Sequence, residues 1–374
     1  MSTLPTTMNA IKIRDGKAAF ESGVALPVLE EGNFLIKVIS VAVNPTDWKH
    51  VSYKIAPNGA TVGCDCVGEI VKFGEGVDTS RFSIGDIVYG FVHGSSRRLP
   101  NNGAFANYAA MDSNVAFRAP EGIKLSGKAS IPEGPCNTIE SLASLPISLG
   151  TAGMILTDSF KIKMEWEPTK VQKDTPILIW GGATAVGEIL IQLCKKLNAF
   201  SSIIVVASRK HEKKLKEYGA DDLFDYHDSD VVEQITKKYP NLEYLVDGAS
   251  TRDTIQQVYS CATKTGQATV LNLIGLKDDA IKPEIRRSNV NLITTLLYCV
   301  LGKDVQFPTF TLPANPAYRQ AAINFIHWIE PKVIAGEIRH IPIKVYPNGL
   351  QDIPQMLNDS ETGKVSGEKL ITVI

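Results

Sequence analysis

Residues 177–275 alternate between short apolar segments and longer amphipathic ones, and this alternation limits the possible fold more than any other feature. The apolar segments are ILIW, SIIVVAS, DLFDY, YLVDGA and QATVLNLIG. Between the first two, Ile189, Leu190, Leu193 and Leu197 recur at helical spacing, which gives that helix one apolar face. Strands that alternate with such helices form parallel βαβ units, so the sequence predicts a doubly wound α/β domain here.

Residues 8–120 are instead rich in short strand-like segments. NAIKIRDGKAAFE predicts a hairpin with Asp15 and Gly16 in its turn, and NFLIKVISVAVNP predicts a strand that ends at Asn44 and Pro45. Near the C-terminus, HIPIKVYP and GEKLITVI also predict strands, after a predicted helix in AAINFIHWIEPKVIAGEI. We therefore expect an all-β lobe that the C-terminal segment returns to complete.

A glycine-bearing turn joins the first strand of the alternating region to its helix. Gly182 and Gly187 occupy the first and third positions of a G-x-G-x-x-G pattern, and Thr184 stands where the second glycine is usual. The free N–H groups and positive dipole end of the helix favour a pyrophosphate, so the turn predicts a dinucleotide site. The other interpretation is that the glycines only let the helix pack closely on the strand. Glu188 and Ile189 follow where a P-loop requires Lys and then Ser or Thr, which disfavours ATP or GTP hydrolysis.

The end of the second strand indicates which dinucleotide binds. NAD sites usually have Asp or Glu about 20 residues past the turn, whereas the 2′-phosphate of NADPH is held by cations. This chain has Ser208, Arg209 and Lys210 there, with no acidic residue before Glu212. We expect NADPH, with NADH as the alternative if Arg209 and Lys210 are only solvated surface charges.

The composition disfavours several classes of partner. Hydrophobic residues make up 44% of the 374, and 39 Lys and Arg balance 40 Asp and Glu, so no excess positive charge attracts nucleic acid or an anionic membrane. Six scattered cysteines suggest reduced thiols rather than a disulfide framework. The N-terminus lacks an apolar run behind a basic head, and no stretch approaches the ~20 apolar residues of a membrane helix. We expect a cytoplasmic protein, or a nuclear one, that acts on a small molecule.

Polar side chains follow the predicted strand that ends at Asn44. VNPTDWKH supplies Thr46, Asp47 and Trp48, and Tyr53 comes shortly afterwards. Such clusters occur in functional sites and equally in plain turns, where Asn and Asp cap their own backbone. Spacing alone leaves both interpretations open.

Neither a hydrolytic nor a metal site emerges from the sequence. No G-x-S-x-G segment is present, and the six histidines have no metal-binding spacing. Cys64, Asp65 and Cys66 are close together, but a catalytic zinc takes about three ligands, usually with His among them. We expect the two cysteines to be small buried side chains.

The ordered series NPTDWK, GCDCVGEIVKFGEGV, GDIVYG, GAFANYAAM, LPISLGTAGMIL, the glycine turn and YGADDLFDY resembles the medium-chain dehydrogenase/reductase superfamily. Within it the chain resembles the zinc-independent quinone oxidoreductases and fungal trans-acting enoyl reductases, and especially fungal NAD(P)H-dependent aldehyde reductases. Gly63, Cys64 and Asp65 stand where the zinc enzymes have Gly-His-Glu, and the lobe of four cysteines that holds structural zinc is missing. The resemblance therefore implies an enzyme without zinc, and it also accounts for Thr184, because the fungal enoyl reductases have a similar turn.

The resemblance implies an α/β protein with two domains. A GroES-like β-rich catalytic domain would comprise residues 1–165, completed by 336–374, and a Rossmann domain would comprise 166–335. Carried over by position, it implies cofactor contacts from three groups of residues. These are Pro45, Thr46, Asp47, Trp48 and Thr151 near the nicotinamide; Ala183, Thr184, Ala185, Val186, Ser208, Arg209, Lys210, His211 and Tyr226 along the pyrophosphate and adenosine; and Ile274, Gly275, Val365 and Ser366 near the nicotinamide ribose and the closing C-terminal segment.

The sequence thus leads to a functional hypothesis with two alternatives. The hypothesis is a zinc-independent, NADPH-dependent reductase that delivers a hydride to an aldehyde or an α,β-unsaturated carbonyl. Without zinc, the developing oxyanion would be stabilised by the hydroxyl of Tyr53 or Thr46, by backbone N–H groups or by the ribose hydroxyls of the cofactor, and we expect Tyr53 to be the proton donor. The alternatives are an NADPH quinone oxidoreductase and a non-catalytic NADPH-binding sensor or structural protein. Under each hypothesis we expect a monomer or a homodimer.

Overall fold

The computed structural model describes residues 4–374, which divide into two compact units. One unit contains the residues up to Ile147 together with Tyr298–Ile374, and the other contains Ser148–Leu297. In chain order, the second unit is therefore an insertion within the first.

The N-terminal part of the first unit consists mainly of β-strands. Its strands are β1 (Thr7–Arg14), β2 (Lys17–Ala25), β3 (Asn33–Ala42), β4 (Asp65–Phe73), β5 (Ile87–Phe91), β6 (Tyr108–Asp112), β7 (Phe117–Arg118), β8 (Ser130–Ile131) and β9 (Gly134–Pro135). Its helices are α1 (Pro45–Ser52) and α2 (Ile139–Ala143), and α3 (Pro146–Met154) runs across the boundary between the units.

The second unit is a six-stranded parallel sheet with helices between its strands. The strands are β10 (Ile177–Trp180), β11 (Ile203–Val206), β12 (Asp222–Phe224), β13 (Tyr244–Asp247), β14 (Ala268–Asn272) and β15 (Val290–Thr294). The helices are α4 (Ala185–Lys196), α5 (Glu212–Tyr218), α6 (Val231–Lys238) and α7 (Thr254–Cys261). The strand order β12-β11-β10-β13-β14-β15 is that of a Rossmann fold, which confirms the predicted fold class.

The C-terminal part of the chain returns to the first unit. Its elements are β16 (Val305–Gln306), β17 (Thr311–Leu312), α8 (Pro316–Ile334), β18 (Arg339–His340), β19 (Ile343–Tyr346), α9 (Ile353–Glu361) and β20 (Lys369–Val373). Single turns of 3-10 helix lie at Ser113–Val115, Arg209–His211, Asp278–Ala280, Leu297–Leu301 and Gly349–Asp352, and a short π-helix lies at Ile155–Ser159.

One large sheet organises the first unit. Its strand order is β7-β5-β4-β3-β20-β19-β8, and β6 also pairs with β3. β20 runs antiparallel to β3, with Ile371 opposite Ala42, so the last strand of the chain lies in the same sheet as the third. Phe34, Ile36 and Ile70 of this sheet are fully buried in one hydrophobic cluster, to which α9 adds Met356.

The predicted hairpin at the start of the chain is present. β1 pairs antiparallel with β2 in the register Arg14 to Lys17. Asp15 and Gly16 both have positive φ, of 50° and 75°, which is the backbone of a type I′ turn. Asp-Gly supplies this turn because aspartate tolerates the left-handed region and glycine adopts it freely.

The unit boundaries differ from the predicted ones, which lay at 165/166 and 335/336. The compact units divide at 147/148 and 297/298, so α8 belongs to the first unit. Ion pairs explain this, because the buried Glu330 of α8 binds Arg81 at 3.0 Å and Arg118 at 3.2 Å. Arg319 of the same helix binds Asp112 at 2.6 Å. These ion pairs join segments that are distant in the sequence, so no local pattern reveals them.

Across residues 4–374, we find no helix with the length and apolar character needed to span a membrane.

Candidate active site

The glycine turn after β10 is closed so tightly that side chains are excluded from it. Gly181 has φ of 80°, and its N–H and that of Gly182 both donate to the Val206 carbonyl, at 2.9 and 3.0 Å. A Cβ on Gly182 would overlap the Val205 side chain, and a Cβ on Gly187 would overlap the Gly181 carbonyl. Glycine at these positions therefore brings the start of α4 against the sheet.

Thr184 explains the departure from the usual fingerprint. It has φ of −75°, so its backbone does not need glycine, and it caps the N-terminus of α4. Its hydroxyl donates to the Gly181 carbonyl at 2.8 Å and accepts from the Gly187 N–H at 3.1 Å. A threonine thus stabilises the turn with two hydrogen bonds where the fingerprint has a second glycine.

The start of α4 can hold a pyrophosphate. Ala183, Thr184, Ala185 and Val186 are all half-buried and therefore accessible to a ligand. The N–H groups of Ala185 and Val186 lie in the first turn of a 12-residue helix, where no intrahelical acceptor exists and the dipole is positive. The chain at this turn fits the phosphates of a dinucleotide.

The turn lies where the strand order reverses, between β10 and β13. Parallel sheets bind ligands at this point, beyond the carboxyl ends of their strands. Asp247, the last residue of β13, is buried and accepts from the Ser250 N–H at 2.7 Å and from the Thr254 hydroxyl at 2.8 Å. It shapes the loop that faces the glycine turn, since a Cβ on Gly181 would come within 3.0 Å of the Ala249 nitrogen. Sequence reasoning missed this role, although an aspartate followed by glycine after an apolar strand is a usable signal.

The loop after β11 presents two cations and no carboxylate of its own. Arg209 and Lys210 are exposed, and the Arg209 guanidinium binds Asp228 at 3.0 Å in a surface ion pair. Asp225, which follows β12, accepts from the Arg209 backbone N–H at 3.0 Å. Hydrogen bonds from the His227 and Arg209 backbones hold the pKa of Asp225 at about 2, so it is ionised and fixes the loop. Ser208, which precedes the 3-10 turn Arg209–His211, belongs to this same loop.

The remaining predicted residues of the second unit lie at three further places. Ile274 and Gly275 follow β14 in an exposed loop, where Asn272 accepts from the Ile274 N–H at 3.2 Å and a Cβ on Gly275 would have no atom within 4 Å beyond its chain neighbours. Tyr226 is exposed and packs against His227 with ring centroids 4.1 Å apart. Thr151 lies on α3 and is buried. The first two places follow strands of the parallel sheet, at the edge where the glycine turn also lies.

In the first unit, Pro45, Thr46, Asp47 and Trp48 form the first turn of α1 rather than an irregular turn. Proline at the first helical position is favourable because its missing N–H has no intrahelical partner there. The Asp47 carboxylate accepts from the Asn44 N–H at 2.7 Å, which satisfies one donor at the helix start. The helix therefore fixes where the side chains of Thr46 and Asp47 point.

A buried cluster of hydroxyl, thiol and imidazole groups surrounds Thr46. Its hydroxyl lies 2.8 Å from the Tyr298 hydroxyl, which lies 3.2 Å from the Cys64 sulfur. His93 stacks on Tyr298 with centroids 3.9 Å apart, and the Nδ1 of His50 lies 2.8 Å from the Thr46 carbonyl oxygen. Tyr298 was not among the predicted site residues, because nothing local in the sequence marks it.

Burial keeps this cluster uncharged near neutral pH. It lowers the pKa of His93 to about 3 and also lowers the pKa of His50, so both imidazoles are neutral. It raises the pKa of Cys64 and that of Tyr298 well above their ordinary values. Chemically, such a cluster can donate hydrogen bonds or a proton to an oxygen that gains negative charge.

A second polar group lies beside the cluster. Asp65 is fully buried, and its carboxylate accepts from the Asn44 amide at 2.8 Å, from the Ile147 N–H at 2.9 Å and from the Lys369 ammonium at 3.5 Å. Lys369 also donates to the Asn44 side-chain oxygen at 2.5 Å. These bonds join the end of β3, the start of β4 and the start of β20.

Metal ligands are not grouped in this region. Cys64 and Cys66 are buried, as the sequence predicted, and no three or more His, Cys, Asp or Glu side chains among residues 4–374 are arranged to hold a metal ion.

Tyr53, the other predicted proton donor, lies apart from the cluster. It follows the last turn of α1, is 63% exposed and packs edge-on against Trp48 at 5.7 Å. Val365 and Ser366 lie in the loop between α9 and β20. The structure thus joins Thr46 to the buried cluster, places Asp47 in the same turn of α1 and leaves Tyr53 at the surface of its unit.

Comparisons with known proteins agree with this architecture. The family described as zinc-binding dehydrogenase matches residues 185–307, and the alcohol dehydrogenase GroES-like domain matches residues 30–121. An uncharacterized protein of Saccharomyces cerevisiae is 58% identical over 373 residues, which is 100% of this chain and 99% of that protein. A trans-enoyl reductase from a Penicillium species is 30% identical over 374 residues, 99% of each chain. The solved quinone oxidoreductase of Pseudomonas syringae shares the fold, with a TM-score of 0.73 at 16% identity over 98% of this chain and 100% of that one.

Proposed function

The chain belongs to the medium-chain dehydrogenase/reductase superfamily and is an NAD(P)H-dependent oxidoreductase, and we propose that it is a zinc-independent, NADPH-dependent reductase of aldehydes or α,β-unsaturated carbonyls. The observation that carries this proposal is the uncharged cluster around Thr46. Its hydroxyls can donate hydrogen bonds to a carbonyl oxygen that becomes negatively charged. The likeness to a Penicillium trans-enoyl reductase supports a conjugated carbonyl among the substrates.

We assign cofactor binding mainly to the second unit. Ala183–Val186 would bind the pyrophosphate through the open N–H groups of α4, and Ser208, Arg209, Lys210 and His211 would bind the adenosine phosphate. Tyr226 would lie by the adenine, and Thr151, Ile274 and Gly275 by the nicotinamide riboside. When bound, the nicotinamide supplies the hydride.

Reversing the charge at position 209 should weaken NADPH binding more than NADH binding. In Arg209→Glu the lost cation and the added anion both oppose a 2′-phosphate, so we expect the NADPH dissociation constant to rise about tenfold or more. The NADH constant should change little. Lys213→Glu is the matched control, because Lys213 is also exposed and the charge change is equal. Equal weakening of NADPH and NADH in Arg209→Glu would contradict the assignment of the phosphate to this loop.

The proton would come from a hydroxyl of the first unit. Thr46 is favoured because its hydroxyl is held by Tyr298, whereas the Tyr53 hydroxyl lies at the surface. We expect Thr46→Val, which has nearly the same shape, to lower turnover about 100-fold, since a positioned general acid typically contributes that much or more. Thr46→Ser should retain most of the activity. A loss of about tenfold or more in Tyr53→Phe, with unchanged NADPH affinity, would assign the proton to Tyr53 instead.

A cofactor and substrate panel tests the proposal as a whole. Purified protein is mixed with NADPH or NADH, and the loss of nicotinamide absorbance is followed with aldehydes, enals, enones and quinones. Faster oxidation of NADPH with aldehydes or enals supports the reductase. Oxidation by quinones alone would indicate a quinone oxidoreductase, and binding without oxidation by any compound would indicate a sensor.

A further inference from the structure

The 3-10 turn Leu297–Leu301 carries Tyr298, whose hydroxyl lies 2.8 Å from the hydroxyl of Thr46. Hydrogen bonds within a 3-10 helix are poorly aligned, and the last carbonyls of a helix have no partner inside it. Such a turn therefore needs contacts from other elements to hold its side chains in one place. Because the tyrosine hydroxyl lies at the far end of a long side chain, a small rotation of the turn would separate it from Thr46.

Arg319 of α8 supplies such a contact at the C-terminal end of the turn. Its Nη1 donates to the Val300 carbonyl at 3.0 Å, two residues after Tyr298. Val300 is fully buried, and a buried carbonyl needs a donor from the protein when water is excluded. A cation is also favourable beside the last carbonyls of a helix, because their dipoles present negative charge there.

Asp112, the last residue of β6, fixes the position of the guanidinium. Its carboxylate accepts from Nη1 of Arg319 at 2.6 Å and from Nη2 at 3.2 Å. A bidentate pair of this kind sets the plane of the guanidinium as well as its place. The two side chains are 24% and 10% exposed, so solvent screens the pair only in part. The sheet of the first unit thus determines where Arg319 meets the turn.

Gly302 allows the chain to pass closely over the Arg319 side chain. It directly follows the 3-10 turn, has φ of 66° and donates its N–H to the Cys299 carbonyl at 3.2 Å. A Cβ at this position would overlap the Arg319 Cδ. The turn and the arginine therefore fit together because the residue after the turn has no side chain.

The ring of Tyr298 has its own contacts, but these leave one direction free. It is 4% exposed and stacks on His93, with centroids 3.9 Å apart and ring planes 14° from parallel. Stacking fixes the plane of a ring, whereas a ring can still slide along the face of its neighbour. The backbone of the turn, which Arg319 holds, therefore decides how far the hydroxyl extends toward Thr46.

We propose that Arg319 is a positioning residue for the reduction, an inference that rests on the reductase function proposed above. By holding the Val300 carbonyl it sets the Tyr298 hydroxyl against that of Thr46, and Thr46 is the group that meets the substrate. Arg319 acts only through Tyr298. Its loss should therefore have no effect on turnover beyond that of losing the Tyr298 hydroxyl.

A double-mutant cycle in turnover tests this dependence. We expect Arg319→Met and Tyr298→Phe each to lower kcat about tenfold, since each removes the hydrogen bond that orients Thr46. In the double variant, kcat should stay within about twofold of Tyr298→Phe alone, because residues that act through one another are not additive. KM for the carbonyl substrate should change less than about threefold throughout. Effects that multiply to about 100-fold in the double variant, or an unchanged kcat in either single variant, would overturn the proposal.

Arg81→Met is the matched control. Arg81 also binds α8, through Glu330 at 3.0 Å, and its side chain is 16% exposed. Its guanidinium meets Glu330 and the Ala116 carbonyl rather than the turn that carries Tyr298. We expect this variant to lose stability but to keep the kcat of the unchanged protein, per folded molecule. A tenfold loss of kcat in Arg81→Met would mean that any weakening of α8 lowers turnover, and would overturn the specific role of Arg319.

A magnetic resonance measurement on the protein without cofactor or substrate tests the placement of Tyr298 independently of activity. The stacked Tyr298 ring shifts the C–H signals of His93, which are assigned in histidine-labelled protein by their loss in His93→Gln. These signals should move in Arg319→Met toward their position in Tyr298→Leu, and should stay in place in Arg81→Met. Signals that do not move in Arg319→Met overturn the proposal even in an active enzyme. Signals that move in a protein that reduces no carbonyl would instead reject the reductase function.

Discussion

Gly187→Ala is expected to abolish tight dinucleotide binding while most of the fold is retained. The added Cβ would overlap the Gly181 carbonyl and come within 2.8 Å of the Gly182 Cα, and neither backbone atom can move without opening the turn. Relief of the overlap would displace the start of α4 and break the hydrogen bond from the Gly187 N–H to Thr184. A misplacement of about 1 Å at a preorganised site can lower activity about 100-fold. We therefore expect the NADPH dissociation constant to rise by about that factor or more.

The matched control for this substitution is Gly266→Ala. Gly266 lies in the same unit, its backbone is not in the positive-φ region, and the nearest atom to an added Cβ lies at 3.7 Å. Isothermal titration with NADPH, alongside circular dichroism to verify folding, separates lost binding from lost structure. The overpacked turn should cost about 1–3 kcal/mol of stability, which many domains tolerate. A folded Gly187→Ala protein that binds NADPH as tightly as the unchanged one would show that the glycine turn does not hold the cofactor.

The fold could be predicted from the sequence because its signals are local. The parallel sheet follows from the alternation of apolar strands and amphipathic helices, and the glycine turn marks its first connection. Thr184 was a departure from the pattern until its capping role was visible, since a threonine with ordinary φ stabilises the same turn by its side chain. Helix α1 was harder to predict, because a first turn containing Asn-Pro and Asp looks the same in sequence as an irregular turn.

The candidate site could be predicted only in part because its contacts join distant segments. Thr46 and Asp47 were identified, but Tyr298, whose hydroxyl contacts that of Thr46, is 252 residues from Thr46, and no pattern in sequence marks such a pair. Tyr53 was the expected proton donor from the sequence. Burial separates the two, and burial of a single side chain depends on packing that periodicity does not describe.

The ionic contacts of Lys369 were also beyond sequence reasoning. Its ammonium reaches the side chain of Asn44, 325 residues earlier, and a fully buried carboxylate at Asp65. Because this group joins the last strand of the chain to the start of α1 and β4, it fixes the segment that carries Thr46 and Asp47. Its contribution to stability can therefore be tested separately from catalysis.

Lys369→Met is expected to destabilise the first unit by about 3–5 kcal/mol at neutral pH, because it leaves Asp65 as a buried carboxylate without its cation. Burial already raises the pKa of Asp65, and Lys369 lowers it, so the pKa of Asp65 should rise further in the variant. An acid whose pKa is higher in the folded state than in the unfolded state stabilises the fold below its unfolded pKa, and this stabilisation is lost as pH rises through its folded pKa. The deficit of the variant should thus shrink as pH is lowered.

Urea unfolding of Lys369→Met at about pH 8 and about pH 5 measures this difference, and two further variants interpret it. Lys364→Met removes a lysine whose partner Asp359 lies at 3.2 Å but whose side chain is 61% exposed, so it should cost only about 1 kcal/mol or less at either pH. Adding Asp65→Asn to Lys369→Met removes the unpaired carboxylate. Part of the lost stability should then be recovered, and most of the pH dependence of the deficit should disappear. A deficit that is the same at both pH values would mean that Lys369 stabilises the first unit through packing of its alkyl chain rather than through the charge of Asp65.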